Sequence, residues 1–240
     1  MIVLHSVSKE VGRGRFRRTI IDSLSWKIPW RSRIVVLGHR AGVSILLNII
    51  AGLSQPTAGW VERKATISMP RGFLRYAGSG TTRQLIERLS PLFNADPHEV
   101  ADFIEDALKD RRVLDAHVRL LPLVLKRQLN AALTYALPCE FYLFDGAIVA
   151  GRDPAFRAFC QKAFSMRCQE AGTIVALQAS HLALSLGGNS KGAILYKGKF
   201  TLYDQLTDAI AVFDSLQPEE DIPNQALIEQ EEEPEEEDVV

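Results

Sequence analysis

Arg33-Ile34-Val35-Val36-Leu37-Gly38-His39-Arg40-Ala41-Gly42-Val43-Ser44-Ile45-Leu46-Leu47-Asn48-Ile49-Ile50-Ala51 is the stretch on which the fold turns. A β-branched apolar run leads into two glycines. A run with helical character then extends from Ile45 to Ala51 and is closed by Gly52. That strand–glycine loop–helix order is the setting of a phosphate-binding loop. The chemistry departs from the pattern G-x-x-x-x-G-K-[ST]: only three residues separate Gly38 from Gly42, and Val43 stands where lysine belongs. The residues alone admit two readings, a phosphate loop that has lost its lysine or an ordinary Gly-rich turn between strand and helix.

Outward from that stretch, the pattern alternates between the two periods. Short β-type runs at Ile2–Val7 and Ile20–Ile28 precede it, and another at Trp60–Ser68 follows. Residues 81–137 carry helical spacing: Thr82 to Leu92 reads as one helix, and Asp96-Pro97-His98-Glu99 caps the next, with Val100, Phe103, Ile104 and Leu108 on its apolar face. A third helix near Leu125–Leu137 leads into Phe141-Tyr142-Leu143-Phe144-Asp145, a buried strand ending on a carboxylate. A helix over Pro154–Glu170, a strand at Thr173–Leu177 and two β runs at Ala193–Tyr196 and Phe200–Tyr203 complete the pattern. Strands alternating with helices predict a mainly parallel sheet, and the early hairpins predict an antiparallel lobe.

Composition narrows the class. The chain has 240 residues and 47% hydrophobic content, enough for a substantial core. Its opening lacks the pattern of a signal peptide, and the longest apolar run, Val43–Leu53, is too short to span a bilayer. Cys139, Cys160 and Cys168 form no C-x-x-C pair and read as buried thiols of a reducing compartment. The net charge of −1 hides an asymmetry: residues 219–240 hold eleven Asp/Glu and no Lys or Arg, so the body carries about +10. The tail reads as disordered and solubilising. Arg13, Arg15, Arg17 and Arg18 around Phe16 read as a solvated hairpin tip. No aromatic–basic alternation suggests binding to single-stranded nucleic acid.

The order of elements resembles the nucleotide-binding subunit of an ATP-binding-cassette (ABC) transporter, in the branch that powers capsular-polysaccharide export. The likeness rests on Val7-Ser8-Lys9, on Ile34 to Gly52 with Pro56-Thr57-Ala58-Gly59, and on Pro70-Arg71-Gly72-Phe73 with Asp96-Pro97-His98-Glu99-Val100. It also rests on Phe141–Asp145 as the Walker B strand and on Gly198-Lys199-Phe200-Thr201-Leu202-Tyr203-Asp204 as the closing hairpin. The resemblance implies an α/β fold: a P-loop NTPase core with an N-terminal antiparallel β lobe and an inserted helical subdomain at about 81–137. The cassette-like domain would cover 1–218 and the acidic tail 219–240.

The same resemblance fails at the positions that touch ATP. Val11 stands where an aromatic would stack on adenine, Ala77-Gly78 where a glutamine would sense Mg²⁺, and Gly146 where a glutamate would activate water. A positioned general base is typically worth about 10²–10⁴ in rate. The signature S-x-G, which caps a partner's γ-phosphate, aligns with Pro122-Leu123-Val124. What survives is a vestigial nucleotide set of Gly38, Arg40, Gly42, Ser44, Asp145 and His181. Within it, Ser44 and Asp145 would hold Mg²⁺ if Mg²⁺-ATP bound, His181 would be the switch histidine, and no residue is assigned to catalysis. Ser44 also reads as a helix-start residue and His181 as structural.

The resemblance thus implies a degenerate, non-hydrolysing ABC ATP-binding homologue tied to cell-surface polysaccharide export. Such a chain would be cytoplasmic, peripheral on the inner face of the membrane, and bound to a permease or to another ABC subunit, with homodimer formation open. Any ATP or Mg²⁺ binding would be weak, and no nucleic acid is expected. The alternative is a divergent active ATPase with Arg40 as substitute cation. A third reading is a free-standing scaffold acting through its tail.

Overall fold

The computed structural model describes residues 1–12, 14–74, 78–146, 153–184 and 189–216. Ala77 and the acidic tail therefore lie outside the described residues. The antiparallel lobe consists of β1 (Ile2–Val11), β2 (Arg18–Ile28) and β4 (Ala58–Arg63), in the order β2-β1-β4. A 3₁₀ turn at Gly14–Phe16 joins β1 to β2, and Arg17 at that tip pairs with Glu10. β4 stops at Arg63, short of the expected Ser68. Beyond it Ile67 leaves the lobe and forms a lone bridge to Phe141 in the other sheet.

The second sheet runs β5-β6-β3-β7-β8, built from β3 (Arg33–Gly38), β5 (Phe141–Asp145), β6 (Gly172–Leu177), β7 (Lys191–Tyr196) and β8 (Lys199–Tyr203). All its pairings are parallel except the closing β7–β8 hairpin. The central strands are apolar throughout because both faces are covered. Alternate residues feed two cores. Ile34, Val36, Phe141, Leu143, Ile174 and Ala176 face α1 (Arg40–Ala51) and the antiparallel lobe. Val35, Leu37, Tyr142, Phe144, Val175 and Leu177 face the remaining helices.

Those helices are α2 (Thr82–Leu89), α3 (Pro97–Leu108), α4 (Arg112–Asp115), α5 (Leu123–Ala136), α6 (Pro154–Glu170), α7 (Ser180–Leu184) and α8 (Leu206–Ser215). Thr81 and Gln84 close a capping box on α2, and Asp96 and Asp153 cap α3 and α6, each followed by proline at the first helical position. α4 and α8 carry no clear periodic signal in the sequence. α8 is placed by tertiary packing, with Ala209 so close to Gly192 that a side chain there would collide with it.

The main departure from the sequence reading lies at the start of α1. The helix begins at Arg40, not Ile45, and His39 alone separates it from β3. Ala41 and Val43 are buried apolar residues that hold this turn in the core, so residues 40–44 of the expected loop are absorbed into the helix.

Candidate functional site

The candidate site sits at the carboxyl edge of the parallel sheet, where β3 and β5 flank β6. A phosphate cradle needs several backbone N–H groups turned inward by alternating right- and left-handed residues. Neither Gly38 nor Gly42 has a positive φ, and His39 is extended at φ −62°, ψ 140°. Gly38 serves packing. A Cβ on Gly38 would lie 2.5 Å from the Leu195 carbonyl oxygen and 2.9 Å from a Val43 methyl, so its lack of a side chain admits β7 and the turn of α1. A Cβ on Gly42 would meet Leu195 at 3.4 Å, an ordinary van der Waals contact. Val43 is 1% exposed, so the position where a lysine would reach for phosphate points into apolar core. Arg40 is exposed on the first turn of α1, which has no side-chain cap and no acidic residue.

Two of the sequence-derived residues do meet. The Ser44 hydroxyl donates to Asp145 Oδ2 at 2.8 Å. A third residue completes the cluster. Arg71 Nε donates to the same Oδ2 at 2.7 Å, and its Nη2 lies 3.4 Å from Ser44 Oγ. The Asp145 side chain is 9% exposed and that of Arg71 34%. The guanidinium thus lies against both the carboxylate and the hydroxyl bonded to it, the two groups that would hold a divalent cation. Bringing a second cation within about 4 Å of it would cost about 4 kcal/mol per unit charge at an effective dielectric near 20. As they stand, the Arg71 guanidinium and the turn of α1 are what Mg²⁺-ATP would have to displace to bind here.

Arg71 is held from both sides. The Asp145 N–H donates to the Pro70 carbonyl at 3.0 Å. On the other flank, Asn130 of α5 donates to the Arg71 carbonyl at 2.7 Å and accepts from the Leu74 N–H at 3.0 Å. Gly72 takes φ +79° and packs so tightly on the Asn130 amide that a Cβ would overlap it. Arg71 escaped the sequence reading as a site residue. The available signal was Asp145 itself, a strand-end carboxylate in need of a cation once lysine was gone.

The other positions are not drawn in. His181 lies on α7 after β6 with its side chain exposed, and the hydrogen bonds and ion pairs described for the cluster do not include it. Gly146 follows Asp145 at φ +94° and donates its N–H to the Ala176 carbonyl at 3.0 Å. Pro122 starts α5 without a side-chain cap, and Leu123 and Val124 behind it are exposed.

The described residues superpose on solved cassettes. A dimeric bacterial ABC transporter cassette matches with TM-score 0.66 at 15% identity over 86% of this chain and 99% of that one. An ATP-binding subunit of an ABC transporter matches with TM-score 0.68 at 15% identity over 96% of this chain and 99% of that one. The fold is therefore that of an ABC ATPase. Among curated proteins, the capsule polysaccharide export ATP-binding protein CtrD of Neisseria meningitidis serogroup B is 28% identical over 219 residues, 90% of this chain and 100% of CtrD. The ATP-binding protein BexA of Haemophilus influenzae is 27% identical over 163 residues, 67% of this chain and 75% of BexA.

The chain is a homologue of these ATP-binding proteins. No family model matches it. Among the described residues of this cassette homologue, no helix is long and apolar enough to cross a membrane.

Proposed function

We propose that the chain is a non-hydrolysing homologue of the ATP-binding subunits of polysaccharide exporters, retained to bind a partner or membrane protein of the export machinery. The observation that carries this reading is the Arg71 guanidinium seated on Asp145 and Ser44. An ATPase needs that carboxylate and hydroxyl for its metal. Here the chain supplies its own cation, and α1 begins at Arg40 with Val43 buried where a phosphate-loop lysine would stand.

The absence of a signature sharpens the reading. In ABC dimers each nucleotide lies between the phosphate loop of one subunit and the signature of the other. Paired with an intact subunit, this chain would spoil both composite sites, one through α1 and the other through Pro122-Leu123-Val124. Its contribution is therefore structural, and its partners are a permease, a second ABC subunit or another copy of itself. It would act as a peripheral component on the inner face of the cytoplasmic membrane.

Steady-state hydrolysis by the purified full-length chain, alone and with the candidate permease, tests this. The expected turnover lies below about 0.1 s⁻¹, well under ordinary enzyme rates. A faster turnover that Arg40→Ala abolishes would overturn the reading and establish a divergent active ATPase in its place.

A further inference from the structure

The most exposed apolar side chains of the described residues include three that cluster around the start of α5: Leu120 at 81%, Leu123 at 63% and Val124 at 62%. Contiguous apolar surface of this kind commonly marks a docking site. Its neighbours along the chain are one-signed. Arg119 and Arg127 are exposed beside it, Lys126 is half-buried, and no Asp or Glu occurs from Ala116 to Cys139. The Lys126 ammonium donates to the Arg119 carbonyl at 2.7 Å, which anchors the basic rim to the apolar turn.

The chain itself carries a segment of matching chemistry. Residues 219–240 hold eleven carboxylates, and Ile222, Leu227 and Ile228 are interspersed among them. Fully extended, the residues beyond Leu216 reach up to about 80 Å, at roughly 3.3–3.6 Å each. A folded body of this length has a radius of gyration of only about 18 Å, so the tail reaches any face of it. We infer that the acidic C-terminal segment docks in cis on the patch of Leu120, Leu123 and Val124, with its carboxylates on Arg119, Lys126 and Arg127 and its aliphatic side chains on the apolar turn. Charge alone would spread the tail over the whole basic body. The apolar triple selects this place, because burying a single such side chain is worth about a tenfold preference or more.

Zero-length carbodiimide coupling of the full-length chain, read by peptide mass spectrometry at low ionic strength, tests the assignment. The expected result is tail carboxylates joined to Lys126 within one chain, about tenfold more often than to the exposed Lys27 or Lys162. Leu123→Asp with Val124→Asp should erase that preference while circular dichroism stays unchanged. Coupling spread evenly over the lysines would overturn the proposal, leaving the tail a diffuse counter-charge. Coupling found only between chains would also overturn it, in favour of a second copy. Because Lys126 is half-buried, amide hydrogen exchange over 119–127 provides a second readout. Exchange there should quicken when Ile222, Leu227 and Ile228 are changed to Asp. Unaltered exchange contradicts docking.

Discussion

Helices α3 and α6 begin on aspartate, whereas α1 and α5 begin on His39 and Pro122, neither of which gives a side-chain cap. The first pair satisfies its own orphan N–H groups: Asp96 accepts from the His98 N–H at 2.8 Å and Asp153 from the Ala155 N–H at 3.0 Å. The second pair occupies the two places where the family resemblance puts phosphate, of the chain's own site and of its partner's. Their starts carry neither a side-chain cap nor the residues that the resemblance expects there. The difference teaches that the scaffold is maintained by local chemistry of its own, while the site is held by a long-range pair, Arg71 on Asp145.

The strongest way to break that contrast is to restore the missing lysine. Val43→Lys places an ammonium in a 1% exposed position, and the expected outcome is destabilisation by about 3–5 kcal/mol in urea unfolding, without gain of nucleotide binding. A stable variant that binds ATP would show that α1 can reopen into a loop. The next effect is that of Arg71→Met, which leaves Asp145 nearly buried with only Ser44 as a described side-chain partner. With Arg71 itself one-third exposed, a loss of about 2–3 kcal/mol is expected, and combination with Asp145→Asn should recover most of it.

Capping gives the smaller, symmetrical test. Asp96→Ala and Asp153→Ala should each cost about 1 kcal/mol, whereas Pro122→Asp should gain a comparable amount. Loss of stability on Pro122→Asp would mean that the start of α5 is already satisfied in another way.

A separate test concerns pH. Burial pushes the Cys139 thiol from 9.0 up to about 12 and the Tyr142 hydroxyl from 10.0 up to about 12. Tyr142 donates to the Leu137 carbonyl at 2.8 Å and accepts from the Cys139 N–H at 3.0 Å. Both groups are neutral in either state below their ordinary values. Above them the unfolded chain releases its protons first, so stability should fall as pH rises from about 9 to about 12. Urea midpoints measured across that range check the slope. At pH 8 the native Cys139 should resist alkylation.

Much of this molecule was legible in its residues. The β-type runs of β1, β2 and β3, the Asp96-Pro97 start of α3 and the Pro154–Glu170 helix follow from residue pattern and capping, which act within a few residues. Ser44 and Asp145 were legible as a pair because the family pattern joins them, and they meet at 2.8 Å. Arg71 was not, because its partner lies 74 residues away and nothing local to Pro70-Arg71-Gly72 announces an ion pair. The start of α1 was misread because Arg40-Ala41-Gly42 suits a loop or a helix equally, and burial of Ala41 and Val43 decides between them. α8 was silent because its position depends on the close approach of Ala209 to Gly192, a tertiary fact.

The central claim is that the chain has closed its nucleotide site with its own arginine and helix. Calorimetric titration of the full-length chain with Mg²⁺-ATP up to about 1 mM, the upper end of ordinary substrate affinities, tests it most directly. The account predicts no saturable heat. Binding with a micromolar dissociation constant, about 8 kcal/mol of favourable free energy, would contradict it.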